Sequence, residues 1–590
     1  MIFQVLLAIA ISFVLYRLYT AYKILRTCRG KFSDRLNGLP KRILVFFIHN
    51  ITQKKHLKSG AVFHSFIFWG FIIYLISYIN DPLLVSFGYS IEILETPGFH
   101  LIRDLFGIMV LIGVAIAFFR RIKGVEYLEN TLDAWITLIL ITSVVVLSIL
   151  MSKSPIGFKA DNEALWWAHT MLLLFFMVFV FYSKHMHIFF APLSVLFTEF
   201  DRLLEKDGRY EGSERLDEFH WREVFNAFSC ANCGRCDRVC PALKTGSELS
   251  PRRIIFKAMR SLAFKKGKIF DYLDKKVIWD CYLCLACTEV CPSYNEHYRI
   301  IIQLRRKILS EGIVDEGIQR ALININRYGN SFGRPSRLRF SWAKDLGFKD
   351  VRKDFAEYLW YVGDYACYHP EIQRISRLAF KVFKKLGLDF GLLPDERNAG
   401  NDLRRVGEEG LFELIAEKNI KSLEKAKFNK IITTDPHTYH ALKEYRFFGR
   451  EFEVYHYTQV IYDLLKNAKI KKLNYRVTYH DPCYLGRYNK EYEMPRKILK
   501  LLGVELVEMK RNRENSLCCG AGGGGIWKME ERKEKPSYIR VKEASEVADI
   551  LVVACPKDYV MFLDAVKACG LDLKVVDLIE LIAESLEVNE

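Results

Sequence analysis

Cys230-Ala-Asn-Cys233-Gly-Arg-Cys236-Asp-Arg-Val-Cys240-Pro241 is answered, further along the chain, by Cys281-Tyr-Leu-Cys284-Leu-Ala-Cys287-Thr-Glu-Val-Cys291-Pro292. The two runs share one spacing. In such a pair the first three cysteines of one run hold one 4Fe–4S cluster, and the fourth crosses to the other. The spacing predicts Cys230, Cys233, Cys236 and Cys291 on one cluster, and Cys281, Cys284, Cys287 and Cys240 on the second. Thiolates are soft, charge-donating ligands that suit iron. Zinc is the alternative for any cysteine group, but zinc sites seldom use eight cysteines at a doubled spacing closed by proline. Each run donates to both clusters, so the two lie close and make a two-step path for single electrons.

The run resembles that of bacterial ferredoxins. The segment between the two copies, Pro251-Arg-Arg-Ile-Ile-Phe-Lys-Ala-Met259, reads as helix. An α-helical dicluster module is therefore expected, rather than a small β ferredoxin.

At 590 residues, about half of them apolar, the chain is long enough for several domains. Most of the 15 cysteines fall in cluster spacing, which needs reduced thiols and places that part in the cytoplasm. The net charge of +17 is not accompanied by a nucleic-acid recognition motif, and much of the excess flanks apolar stretches. No nucleic acid partner is expected. Anionic lipid or an acidic protein suits such a surface.

Five apolar stretches fill the first third: Ile2–Tyr19, Gly60–Ile79, Leu105–Phe119, Leu132–Met151 and Leu165–Phe190. A membrane span takes about 20 residues, so an all-α transmembrane bundle of about five helices is expected over residues 1–200. The first stretch lacks a basic leader and an evident cleavage site and reads as an anchor rather than a signal peptide. Lys and Arg crowd Lys23–Lys58 and recur at Arg120, Arg121 and Lys123, whereas Asp81–Gly98 and Ser152–Glu163 hold few. The positive-inside rule then puts the N-terminus outside and everything after the fifth span in the cytoplasm of a multi-pass plasma-membrane protein.

Histidines inside spans are costly and usually functional. His64 lies near the inner end of span two. His169 and His187 fall on span five, about five turns apart and so on one face of a continuous helix. Two imidazoles from facing helices can ligate haem b, which His64 and His187 would supply; His169 is a candidate for a second, outer haem. Span two has no histidine deeper than His64 to pair with it; Tyr74 occupies that region, and His100 is the substitute. Hydrogen-bonded packing is the alternative for all three. His49, His56 and His185 read as interfacial, with His56 a further candidate ligand. The stretches Gly60-Ala-Val-Phe-His64, Trp166-Trp-Ala-His169 and Tyr182-Ser-Lys-His-Met-His187 are similar to the nitrate reductase gamma-subunit type of cytochrome b, which implies quinol chemistry with haem b.

Asp201–Arg222 is charged and reads as a surface connector to the cluster module, the two filling about residues 201–335. The rest holds an internal repeat, 336–470 and 471–590. In the second half a strand over Tyr475–Tyr479 ends at His480-Asp-Pro-Cys483; Cys518-Cys519-Gly520 opens a glycine run; and the strand Asp549–Val553 ends at Ala554-Cys555-Pro556. Loops at strand ends converge, so Cys483, Cys518, Cys519 and Cys555 are expected to meet. The glycines permit unusual backbone angles and close approach of N–H groups to a sulfur-rich anion. A phosphate loop is rejected, since no Lys-Ser/Thr pair follows. A mononuclear metal or a cubane would each fit four cysteines. The first half repeats the skeleton with strands Leu359–Gly363 and Lys430–Thr434 around the turn Glu396–Arg405. It has only Cys367 nearby and reads as a pseudo-repeat without a cluster. Cys28 and Cys569 read as unliganded.

These motifs resemble the CCG domains of the heterodisulfide reductase family. The resemblance implies α/β tandem CCG domains and a third, noncubane iron–sulfur cluster on Cys483, Cys518, Cys519 and Cys555, with Asp558 standing where that family has its last cysteine. The whole order is similar to membrane-bound electron-transferring flavoprotein:menaquinone oxidoreductases, on Tyr479–Tyr488 and Glu508–Gly524. It implies a relay from a cytoplasmic electron-transferring flavoprotein, or another soluble redox subunit, through clusters and haem b to menaquinone. Two other functions fit: reduction of a thiol heterodisulfide with membrane-derived electrons, and an electron-transfer subunit of a larger complex. No FAD or NAD site is evident, so hydride chemistry belongs to another protein.

Overall fold

The computed structural model describes residues 2–58, 60–125, 127–160, 162–206, 208–529 and 532–589. Five helices are long and apolar enough to cross a membrane: Ile2–Thr27, Val62–Asp81, Pro97–Ile122, Leu132–Met151 and Glu163–Tyr182. They carry exposed Leu, Ile and Phe side chains along their lengths, the surface expected where lipid is the solvent.

The fifth helix is shorter than the apolar run predicts. It stops at Tyr182, and a new helix begins at His187 and runs to Leu196. Ser183 breaks it by adopting an extended backbone, and its hydroxyl accepts from the His185 N–H at 3.2 Å. Lys184 then turns to Asp133 at 3.7 Å and His185 to the Thr137 hydroxyl at 3.0 Å. His169 and His187 therefore do not share one helix face.

Both basic loops meet the cluster module. Arg29 pairs through its backbone with Phe219 and Trp221 at 2.9 Å each. Arg42 donates to the carbonyls of Leu196 and Thr198. In the loop after the third helix, Glu129 accepts from Asn232 at 3.2 Å and pairs with Arg252 at 3.4 Å.

The segment expected as a surface connector is buried near its two ends and exposed between them. Arg202, Leu203 and Leu204 lie inside, as do Phe219, Trp221 and Arg222. Its charged residues find partners in other modules, and Arg404 holds the Leu204 carbonyl at 2.5 Å. Ion pairing across modules, which composition does not reveal, makes the ends of a polar segment interior.

The last third holds two parallel four-stranded sheets of one topology. The strands β1 (Ala356–Trp360), β2 (Phe390–Gly391), β3 (Phe428–Thr433) and β4 (Val454–His456) are ordered β2-β1-β3-β4; β5 (Arg476–Tyr479), β6 (Glu505–Leu506), β7 (Ile550–Val553) and β8 (Lys574–Asp577) are ordered β6-β5-β7-β8. One continuous core, with Trp360 and Ile432 from the first sheet and Val477 and Leu551 from the second, joins the halves. A second buried cluster runs from Met186 and Phe190 at the end of the membrane helices, through Cys230, Cys240 and Cys284, to Cys483 and Cys518.

Candidate metal centre

All 15 cysteines are free thiols. Those of the doubled run form two groups. Cys236 has Cys230, Cys233 and Cys291 within electrostatic reach, and Cys287 has Cys281, Cys284 and Cys240. The crossing arises because the short helices Arg235–Val239 and Ala286–Val290 pack on each other. Before each helix the chain turns through left-handed residues, Asn232 and Gly234 in one run and Leu283 and Leu285 in the other. Leucine seldom adopts this conformation, and such outliers cluster at functional sites. Here it aims the Leu283 N–H at the Cys281 sulfur, 3.4 Å away.

Cys240, Cys281, Cys284 and Cys287 line a small apolar cavity together with Ile254 and Ile301. Burial pushes the Cys230, Cys240 and Cys287 thiols above their ordinary range, so thiolates here need a compensating cation. Among the described residues no three His, Cys, Asp or Glu side chains converge where a single ion would sit.

In the second half, Cys483 and Cys555 follow the ends of the adjacent parallel strands β5 and β7, where α/β sheets place their ligands. Cys518 has Cys483 and Cys519 within hydrogen-bond reach, and Cys519 has Asp558. The Gly520 N–H points at the Cys518 sulfur at 3.3 Å, and the Ala521 N–H at that of Cys519 at 3.4 Å. The glycine run also joins modules. A Cβ at Gly522 would stand 2.6 Å from the Tyr282 carbonyl oxygen, so only glycine lets this loop lie against the second cysteine run.

That contact brings two thiol groups together. Cys518 hydrogen-bonds Cys284, which draws the Cys284 thiol below its ordinary range with help from Arg487. Arg487 is 1% exposed. It donates to the carbonyls of Cys284 at 2.5 Å and Ser516 at 2.6 Å. Burial works against its charge, but the sulfurs of Cys284, Cys483 and Cys518 outweigh it. One nitrogen, Nη2, has no hydrogen-bond partner among the described residues.

At the other end Arg235 lies 3.9 Å from the Cys233 sulfur and 3.3 Å from His56 Nδ1. The His56 ring stacks on that of His64 at 4.2 Å, so nothing fits between those two. His64 has His187 within electrostatic reach, and its Nδ1 is buried with no hydrogen-bond partner among the described residues. His187 Nδ1 meets the Lys184 carbonyl at 3.1 Å, which leaves Nε2 as the nitrogen available to a metal. His169 Nε2 meets the Tyr78 hydroxyl at 3.2 Å. His64 and His187 therefore have the donor set haem iron would take, and His169 stands against the Tyr78 hydroxyl. From its position in the sequence His56 reads as interfacial; its stacking on His64 comes from the loop fold and leaves no trace in spacing.

The comparisons with known proteins agree with this architecture. The 4Fe-4S dicluster domain model matches residues 226–295, and the cysteine-rich CCG domain model matches twice, at 361–443 and 477–562. The "Probable iron-sulfur-binding oxidoreductase FadF" of Bacillus subtilis is 32% identical over 99% of this chain and 97% of its own length. The EtfAB:quinone oxidoreductase of Syntrophomonas wolfei is 28% identical, over 99% and 96%. A component of the dihydromethanophenazine:CoB–CoM heterodisulfide reductase of Methanosarcina barkeri is 32% identical over 61% of this chain and 94% of its own. No solved structure matches. The chain belongs to the family of iron–sulfur oxidoreductases that join a 4Fe-4S dicluster domain to paired CCG domains.

Proposed function

We propose that this oxidoreductase carries electrons from a soluble electron-transferring flavoprotein, or another soluble redox subunit, to menaquinone in the plasma membrane. Cys483, Cys518, Cys519 and Cys555 would receive a cluster at the donor end. Cys281, Cys284, Cys287 and Cys240 would hold the next, and Cys230, Cys233, Cys236 and Cys291 the one nearest the membrane. His64 and His187 would hold haem b, with His169 the candidate for a second. When bound, these groups supply one-electron transfer. The chain's own work is to fix their spacing, exclude water and hold counter-charge. The N-terminus lies outside and the iron–sulfur modules in the cytoplasm on this reading, because both basic loops meet the cluster module, Arg29 and Lys55 in the first and Glu129 in the second.

One observation carries the proposal. A line of contacts runs from Cys518 against Cys284, through the buried core that holds Cys240 and Cys230, to Arg235, His56 and His64 at the other end. A relay needs this continuity; a hydrolase or a binding module does not. The relative from Syntrophomonas, named for electron-transferring flavoprotein and quinone, supports the choice of donor and acceptor.

The test is anaerobic visible spectroscopy of the detergent-purified protein. Adding reduced electron-transferring flavoprotein should reduce the haem b α-band, and a menaquinone analogue should reoxidise it. Cys519→Ala should abolish the first step and keep the haem absorbance. Haem that is inert to flavoprotein but, once chemically reduced, is oxidised by a heterodisulfide would move the function to disulfide reduction.

A further inference from the structure

Asp558 sits where a carboxylate is hard to explain. It is 3% exposed, in the first turn of the helix Pro556–Cys569 that follows Cys555. Three residues along a helix return to the same face, so Cys555 and Asp558 point the same way. Its carboxyl group is within hydrogen-bond reach of the Cys519 and Cys555 thiols. Its Oδ2 has no hydrogen-bond partner among the described residues.

The cations nearby are turned elsewhere. Lys557 pairs with Asp402. Arg540 holds Glu543 at 2.9 Å and His480 Nδ1 at 3.1 Å. His480 Nε2 stands 3.6 Å from Oδ2, beyond hydrogen-bond distance. Asp435 of the first half adds a further negative charge. A buried charge is paired or it coordinates a metal. An acid in a helix's first turn ordinarily faces water or caps the helix, and this one is interior, among thiols.

We propose that Asp558 is an iron ligand of this site, giving the cluster one oxygen donor beside the sulfurs of Cys519 and Cys555. The inference rests on the reading that Cys483, Cys518, Cys519 and Cys555 hold an iron–sulfur cluster. It goes further by making the site chemically unsymmetrical. One iron carries a hard, exchangeable carboxylate, while the others carry soft thiolates.

The test is Mössbauer spectroscopy and iron analysis of full-length, anaerobically purified protein grown on ⁵⁷Fe, with Asp558→Cys, Asp558→Asn and Cys555→Ala alongside. The native protein should show one iron subsite with an oxygen-type isomer shift. In Asp558→Cys that subsite should move to the thiolate position with total iron unchanged, and in Asp558→Asn it should be lost. Spectra of Asp558→Cys and Asp558→Asn identical to native would overturn the proposal and leave Asp558 as a protonated neighbour of Cys519. Asn preserves the carboxylate's shape, so it serves if the cysteine variant does not fold. Iron content and spectra unchanged in Cys555→Ala would instead overturn the underlying cluster reading, and the proposal with it.

Discussion

The two CCG halves have one fold and opposite contents. Their sheets align by register, with Leu359 beside Ile431 in the first and Thr478 beside Leu551 in the second. Followed past the strand ends, this puts Asp364 where the second half has Cys483, and Asp435 where it has Cys555. The loop Asn398-Ala399-Gly400 takes the place of Cys518-Cys519-Gly520, with glycines at φ +87° and +94°. The first half closes this space with hydrogen bonds. Arg339 lies 3.0 Å from both Asp364 and Glu396, Asn398 donates to Asp364 at 2.6 Å, and Asp435 accepts from Thr438 Oγ1 at 2.7 Å. The same strand-end geometry can thus be stabilised by an ion-pair hub or adapted to hold metal. At these strand ends the first half is built without cysteine.

The sharpest way to break the comparison is to remove ligands from one half and the hub from the other. Cys519→Ala should lose the iron of that site while the chain still folds, measured as iron per protein beside an unchanged far-UV circular dichroism spectrum. Arg339→Ala should do the reverse. It leaves Asp364 and Glu396 buried without their cation, which typically costs about 3–5 kcal/mol. A lowered thermal unfolding temperature at native iron content is the expected result.

Arg487 belongs to the second half alone in its role, a buried guanidinium whose neighbours are sulfurs. Arg487→Gln removes positive charge between two thiol groups. The oxidised forms gain relative to the reduced ones, so midpoint potentials of two iron–sulfur signals should fall in a potentiometric EPR titration. The signal of the group containing Cys230 should stay where it is.

The smallest effect concerns pH. His456 and Asp577 occupy equivalent positions at the ends of β4 and β8, each beside the start of a helix. Burial lowers His456 to about 3 and raises Asp577 to about 8, so both are neutral when folded near pH 7. Their linkages run in opposite directions. Between about pH 3 and 6.5 the unfolded chain binds the His456 proton more readily, so stability from this site is lost as pH falls. Between about pH 4 and 8 the folded chain holds the Asp577 proton more tightly, so stability is lost as pH rises. Asp577→Asn keeps a capping side chain and should remove the loss of thermal stability between about pH 4 and 8, whereas His456→Asn should remove the loss on acidification between about pH 6.5 and 3.

Much of this is legible in the sequence. The paired runs, the strand ends carrying Cys483 and Cys555 and the five apolar helices each have a local signature, because spacing and hydrophobic period follow directly from covalent geometry. What stays hidden depends on distant partners. The apolar run continues past Ser183, so only the pairing of Lys184 and His185 with Asp133 and Thr137 shows that the helix ends there. Arg202 and Arg222 look solvated until Glu289 and Glu296 close on them. Asp364 and Asp435 match cysteines only once strand register is known. The glycines after Cys519 read, in sequence, as serving sulfur alone, and their second duty against Tyr282 lies in another module.

That second duty bears on kinetics. The joint at Gly522 is made of main chain against main chain, and no side chain there can rotate to lengthen or shorten it. On the proposed relay, electron passage across it belongs to a fixed conductor rather than a swinging carrier. Solvent viscosity should leave this internal step untouched and slow only the arrival of whatever soluble protein delivers the electrons.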